Sequence, residues 1–377
     1  MASNTRPRML RRLSALALGA ALAGCGAVST TSTTPQSTPA APGSAPTTAP
    51  ANPGGGAPGV ACLGTQGAVS GPVIYGAGQN LWSMQPDGKQ VTQITNVGAR
   101  ASLRDPAWSA DRATLAYTLA LPSDDPATMW LQTGMICGID AKTGTAKVLA
   151  SSSGPTDILV EPTWAPDGKS IVVTKRSTIM DDRKQFMGEQ VSLVRYNLAD
   201  NSEQLILKDG TSPALSPDGK QIVFVFVDPA TYLTSLMIAG SDGANPKQLV
   251  NVEPGFLQVT NPRWTPDGKQ VVFGALGGPT GGGEPARSAS LLDRLLGVTA
   301  ASAHGDPMTI WQVDTDGKNL KSLATGVDDP RVTWSPDGAT MLYTNGLEGI
   351  VSMPSSGGAT TVLTPPDQFW ALAWSQH

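Results

Sequence analysis

A phrase of about twelve residues returns six times along this chain, at spacings of roughly forty to seventy residues, and such a period commits it to a repeat architecture. The copies read PAWSADRATLAY (106–117), PTWAPDGKSIVV (162–173), PALSPDGKQIVF (213–224), PRWTPDGKQVVF (262–273), VTWSPDGATMLY (332–343) and a truncated LAWSQH (372–377). Each carries a tryptophan, or Leu215 in its place, followed in four copies by a Pro-Asp-Gly turn. Proline presets φ for the second position of a type I turn, aspartate tolerates the third, and glycine takes the left-handed position that realigns the returning strand. The residues after the turn, such as Ile222-Val223-Phe224, are β-branched and aromatic and read as strand.

Between one copy and the next there is room for two further strands joined by a second polar turn. TIWQVDTDGKNLKSLA (309–324), SLMIAGSDGANPKQLV (235–250) and NLWSMQPDGKQVTQIT (80–95) show it. Four antiparallel strands per repeat make the blade of a β-propeller. The chain supplies three outer strands from Val73 onward before any tryptophan strand, and it ends on a tryptophan strand with no blade after it. The count therefore predicts an all-β, six-bladed propeller whose ring is closed by the carboxyl-terminal strand pairing with the amino-terminal segment, which hides two sheet edges. A seventh blade would have to lie in 274–308, which is glycine-rich and helix-like instead.

These phrases resemble the repeats of the bacterial TolB-like propellers, PxWSPDGKxIxF followed by IYxxDxDGxxxxxLT. The likeness runs over roughly residues 66 to 377. It implies a WD40-like, six-bladed TolB-like propeller and, because TolB docks periplasmic proteins, a binding role in the cell envelope. TolB also carries an amino-terminal α/β domain where this sequence has a low-complexity stretch.

The first sixty residues differ in kind. Arg6, Arg8, Arg11 and Arg12 precede an apolar stretch, Leu13 to Ala23, with the layout of a secretory signal and too short to span a bilayer. Leu22-Ala23-Gly24-Cys25 matches a bacterial lipobox, so residues 1–24 are expected to be a lipoprotein signal peptide and Cys25 the lipidated residue. The plainer alternative is a signal cut elsewhere. Residues 25–59 are rich in Thr, Pro, Ala and Gly, carry no charge, and lack the apolar surface that offsets ordering entropy. They read as a disordered tether with a root-mean-square reach of roughly 30 Å. Residues 60–377 are then the propeller, with a helical insertion at 276–307. The expected location is extracytoplasmic, anchored through the Cys25 lipid on the outer face of the cytoplasmic membrane or on the periplasmic side.

Charge narrows the partners. The chain is formally −4, and removing the four arginines of residues 1–24 leaves −8, which is no footprint for nucleic acid. Two cysteines remain beside Cys25. Cys62 and Cys137 either bridge neighbouring blades, as an oxidising compartment favours, or Cys137 is a small buried apolar residue.

Reading the position three before each tryptophan gives Asp105, Glu161, Ser212, Asn261, Arg331 and Ala371, just before the innermost strands. If blades sit as in the resembled family, the first five line one mouth of the central channel and suit a polar ligand, an ion or an inserted peptide end. The alternative is a solvated rim. The tryptophans themselves read as packing between blades, and Asp167, Asp218, Asp267 and Asp337 as turn residues rather than metal ligands. In the insertion, SASLLDRLLGVTA (288–300) places Leu291, Leu292, Leu295 and Leu296 on one face of a short helix, either a lid on its own propeller or a partner-binding element.

Enzymatic chemistry finds little footing. With two histidines, His304 and His377, and no GxSxG elbow or phosphate-binding GxxxxGK[ST], no catalytic residue, metal site or cofactor is expected. The reading is a monomeric, membrane-anchored propeller that binds another envelope protein. The alternative is a small-molecule, glycan or ion receptor, or a hydrolase, using the channel mouth.

Overall fold

The Pro-Asp-Gly turns form as their chemistry dictates. Gly168, Gly219, Gly268 and Gly338 all take left-handed φ near +70°. The preceding aspartates cap the turn: Asp267 Oδ1 accepts from Thr265 Oγ1 at 2.7 Å and from the Lys269 N–H at 3.1 Å. In the one copy with arginine for glycine, Arg112 adopts φ +57°, so the turn is kept against the residue's own preference.

The computed structural model describes Cys62 and residues 68–97, 101–123, 132–250, 256–279, 307–367 and 369–375, and every regular element among them is a strand. The expected signal peptide, Cys25, the expected tether and the leucines of the expected 288–300 helix lie outside the described residues. The strands run as successive four-stranded meanders. They are β1 (Val73–Ala77), β2 (Asn80–Met84) and β3 (Thr92–Gln93); β4 (Ser102–Trp108), β5 (Thr114–Pro122), β6 (Gln132–Asp140) and β7 (Ala146–Ala150); β8 (Asp157–Trp164), β9 (Ser170–Met180), β10 (Phe186–Asn197) and β11 (Glu203–Lys208). Next come β12 (Gly210–Leu215), β13 (Gln221–Val227), β14 (Thr234–Gly240) and β15 (Lys247–Val250), then β16 (Phe256–Trp264), β17 (Gln270–Gly277), β18 (Met308–Asp314) and β19 (Lys321–Val327). The last are β20 (Val332–Trp334), β21 (Thr340–Asn345), β22 (Gly349–Pro354), β23 (Thr361–Val362) and β24 (Phe369–Trp374).

The terminal strand completes the first sheet, in the order β24-β1-β2-β3, with Val73 opposite Trp374 and Tyr75 opposite Leu372. The expectation of six four-stranded blades needs correction. Four four-stranded sheets stand apart, whereas β4–β7 and β8–β11 are fused into one eight-stranded sheet. The join is a single parallel bridge between Gly134 and Ile158. Glycine permits it, because a Cβ at position 134 would sit 2.8 Å from both the Ile158 side chain and the Leu119 carbonyl.

The core lies between facing meanders rather than inside any one of them. Val272 and Ile310 pack against Trp334, Met341, Tyr343 and Val351, and Ile74 and Leu81 against Leu115 and Tyr117. The innermost strands β4, β8, β12, β16, β20 and β24 follow one another side by side, and β24 returns to β4. Burial of each sheet face thus depends on its neighbour, the energetic logic of a propeller.

Candidate functional site

The positions three before the tryptophan lie within the innermost strands in five cases, not just ahead of them as expected, and four of these, Asp105, Glu161, Ser212 and Asn261, sit at bulges. At these four, pairing slips between Arg104 and Ala107, Val160 and Thr163, Thr211 and Ala214, and Thr260 and Arg263. Asp105, Glu161, Ser212 and Asn261 take φ of 54°, 56°, 52° and 50° there, a left-handed conformation that bulges use to re-aim a side chain. Arg331 directly precedes β20, and Ala371 is buried in β24.

Hydrogen bonds between neighbouring strands hold these bulges. The Glu161 N–H donates to Asp105 Oδ2 at 3.2 Å, and Thr118 Oγ1 donates to the same oxygen at 3.2 Å. Glu161 accepts from Thr174 Oγ1 (2.7 Å), Thr211 Oγ1 (2.9 Å), the Ser212 N–H (2.7 Å) and Ser212 Oγ (2.9 Å). Asn261 turns away from this group and donates to the Pro330 carbonyl at 3.2 Å. Arg331 closes the cluster from across the ring, with Nη1 4.0 Å from Asp105 Oδ1 and Nη2 3.6 Å from Asp329 Oδ2.

The two acids respond oppositely to enclosure. For Asp105, burial raises the carboxyl above its ordinary value, the Glu161 charge adds to that, and Arg331 only partly opposes it. Burial also pushes Glu161 upward, yet the Thr174 and Ser212 hydrogen bonds and the charges of Arg331 and Arg176 carry it below its ordinary value. A carboxylate fed by several donors stays ionised even when enclosed.

Asp105, Glu161 and Arg331 open on a cavity of about 510 Å³. Sequence reasoning missed its remaining charged walls, Arg104, Arg176 and Glu189, with Arg176 Nη1 3.5 Å from the Glu189 carboxylate. Arg104 precedes the repeat position by one residue, and that was the only signal for it. Arg176 and Glu189 come from the extended β9–β10 hairpin, whose strands are among the longest described. Of the five expected mouth residues, the fold gathers Asp105, Glu161, Ser212 and Arg331, whereas Asn261 serves the backbone.

The tryptophans act as staples between strands. Trp164 Nε1 donates to the Ala107 carbonyl at 3.0 Å, and Trp264 Nε1 to the Ala214 carbonyl at 2.9 Å. Cys62 and Cys137 are disulfide-bonded, with Cα atoms 5.7 Å apart, and tie the segment before β1 to β6.

No known family model matches the chain, and no curated protein matches it in sequence. Among solved structures, TolB from Acinetobacter baumannii is similar at 18% identity over 82% of this chain and 68% of that one, with a TM-score of 0.58. A chain of the nidogen/laminin complex is similar at 8% identity over 80% of this chain and 97% of that one, with a TM-score of 0.54. At such identities the likeness is one of architecture, and the chain is an all-β propeller with TolB among its structural neighbours.

Proposed function

We propose that this protein is a lipid-anchored, extracytoplasmic propeller that serves as a protein-binding scaffold in the cell envelope. In this reading the eight-stranded sheet counts as two blades of a sixfold ring, and Cys25 carries the anchor. One observation carries the binding role. The β9–β10 hairpin that walls the charged cavity presents apolar side chains to solvent, with Ile179 50%, Phe186 58% and Met187 66% exposed. Apolar side chains clustered at a polar rim are the composition of a protein contact surface rather than of an inert edge. Structural likeness to TolB and to a propeller from a complex with laminin is consistent with that use.

Pull-down from detergent-solubilised membranes tests it. The full chain should retain a defined protein band that the Ile179→Ser, Met187→Ser double variant loses without a change in melting temperature. Equal retention by both would remove the hairpin from any interface.

A second reading rests on the 510 Å³ cavity itself, whose arginines and carboxylates would suit a polar small molecule, a glycan or an ion. It predicts a ligand-dependent rise in melting temperature in a screen of sugars and salts. Catalysis forms no part of the preferred reading.

A further inference from the structure

The position directly before each repeat tryptophan, or before Leu215, is small in five of six copies: Ala107, Thr163, Ala214, Thr333 and Ala373, with Arg263 the exception. All six line a second cavity, of about 370 Å³. It lies further along the innermost strands than the first. In β4 and β8, which contribute to both, the 510 Å³ cavity takes residues up to Asp105 and Glu161, and this one begins at the next residue, Pro106 or Pro162. Its walls are the repeat tryptophans and the prolines of the turns, with Trp108 and Trp164 the more open of the indoles.

Arg263 is the one charged side chain among the described residues lining this space. Its Nη1 donates to the Pro262 carbonyl at 3.0 Å, and no carboxylate among the described residues lies within ion-pairing distance of it. The acids that act on it from further off are Glu161 and Asp105, already engaged by their own donors, and Arg331 repels it. Arg263 is half-buried, a guanidinium held partly out of water without a paired carboxylate costs the fold, and five small residues at the equivalent positions show that the ring does not need a long side chain there.

We propose that this vestibule binds an aryl monocarboxylate of one or two rings, with its carboxylate on the Arg263 fork and its apolar body against the tryptophans. A guanidinium accepts a carboxylate through two parallel N–H donors, and aromatic walls with one placed polar group are the usual composition of a small-ligand pocket. The single unpaired cation selects one negative charge. The site is independent of the scaffold reading, because it uses neither the hairpin nor the bulge residues.

Calorimetric titration of the full chain with 4-phenylbutyrate, against 4-phenylbutan-1-ol, tests the assignment, with the indole N–H resonances as a second readout. The acid should bind at least about tenfold more tightly than the alcohol, the worth of one charge-assisted pair. It should shift the Trp108 and Trp164 resonances. Arg263→Leu should abolish that preference while leaving the unliganded melting temperature equal or higher, since it removes an uncompensated charge. Arg263→Gln gives the same comparison if the leucine variant does not fold. Equal binding of acid and alcohol, no binding of the acid below about 10 mM, or a preference that survives loss of the guanidinium would overturn the proposal.

Discussion

Glu161 reaches from its own strand to the next innermost strand around the ring, taking the Ser212 N–H at 2.7 Å and the Ser212 hydroxyl at 2.9 Å. Its own N–H is spent on Asp105 of the preceding strand. Three successive innermost strands are thereby linked through residues that occupy one position of the repeat, each at a left-handed bulge. The cluster that looks like a ligand site from the sequence is therefore also a structural relay, and its two acids carry opposite energetic signs.

Glu161→Gln should destabilise the domain by about 2–3 kcal/mol, because an amide nitrogen cannot accept from donors that remain buried. Asp105→Asn should cost less than about 1 kcal/mol, since the carboxylate it replaces is disfavoured by burial. The pH dependence separates them. Glu161 is held below its ordinary 4.5, so its contribution is complete above that value and is lost as pH falls through the folded one. Asp105 is held above its ordinary 3.8, so its contribution is complete below that value and is lost as pH rises through the folded one. Denaturant melts from pH 3 to 7 should show the Glu161→Gln deficit shrinking on acidification, and Asp105→Asn gaining on the native protein as pH rises. Parallel curves for the two variants would contradict this assignment.

Loss of one indole donor should be felt locally. Trp264→Phe keeps most of the buried ring but leaves the Ala214 carbonyl without the indole N–H, at a cost of about 1–3 kcal/mol. Trp164→Phe should behave alike, since its indole meets the Ala107 carbonyl in the same way. At position 215 the repeat carries leucine, whose side chain has no donor; only its backbone N–H bonds, to Thr163 Oγ1 at 3.4 Å. Leu215→Ala is thus a packing control without a hydrogen-bond component. Thermal melts of the three variants would refute the staple if both phenylalanine variants matched the native protein.

What the sequence made legible is what local chemistry decides. The Pro-Asp-Gly phrase fixes a hairpin wherever it occurs, and even Arg112 in the glycine position did not hide its turn. Pairing of β24 with β1 followed from counting strands, because an unpaired tryptophan strand at the end needs a partner. The bulges were hidden, since alternation of side chains shows a strand but not one extra residue within it. The Gly134–Ile158 bridge was hidden too, because it depends on how closely two meanders approach. Arg263 was in plain view as the only long side chain at its position, yet nothing local says that the position faces an enclosed space.

Reduction of the Cys62–Cys137 bond should lower stability by roughly 4 kcal/mol, the chain entropy that a crosslink of this span removes from the unfolded state. Cys137 is fully buried in the core beside Leu119 and Met135, so Cys62→Ser is the cleaner variant and leaves that packing intact. Its melting temperature should equal that of the native chain under reducing conditions. A native chain insensitive to reductant would show that the segment before β1 adds nothing to the fold.

The ring should fail cooperatively when its last strand is taken away. Phe369, Leu372 and Trp374 of β24 bury their side chains against Val73, Tyr75 and Leu342, and the Trp374 N–H donates to Thr333 Oγ1 at 3.0 Å. Three buried apolar side chains at about 2 kcal/mol each give roughly 6 kcal/mol, which rivals the whole net stability of an ordinary domain. Deleting residues 369–377 also leaves β1 with an unpaired edge, a template for association between copies. The truncated protein should aggregate and lose its single sharp transition, and a synthetic peptide of residues 367–377 added in excess should restore both solubility and melting behaviour. A truncated chain that stays monomeric and melts as the native one does would mean that β24 contributes nothing to holding the ring shut.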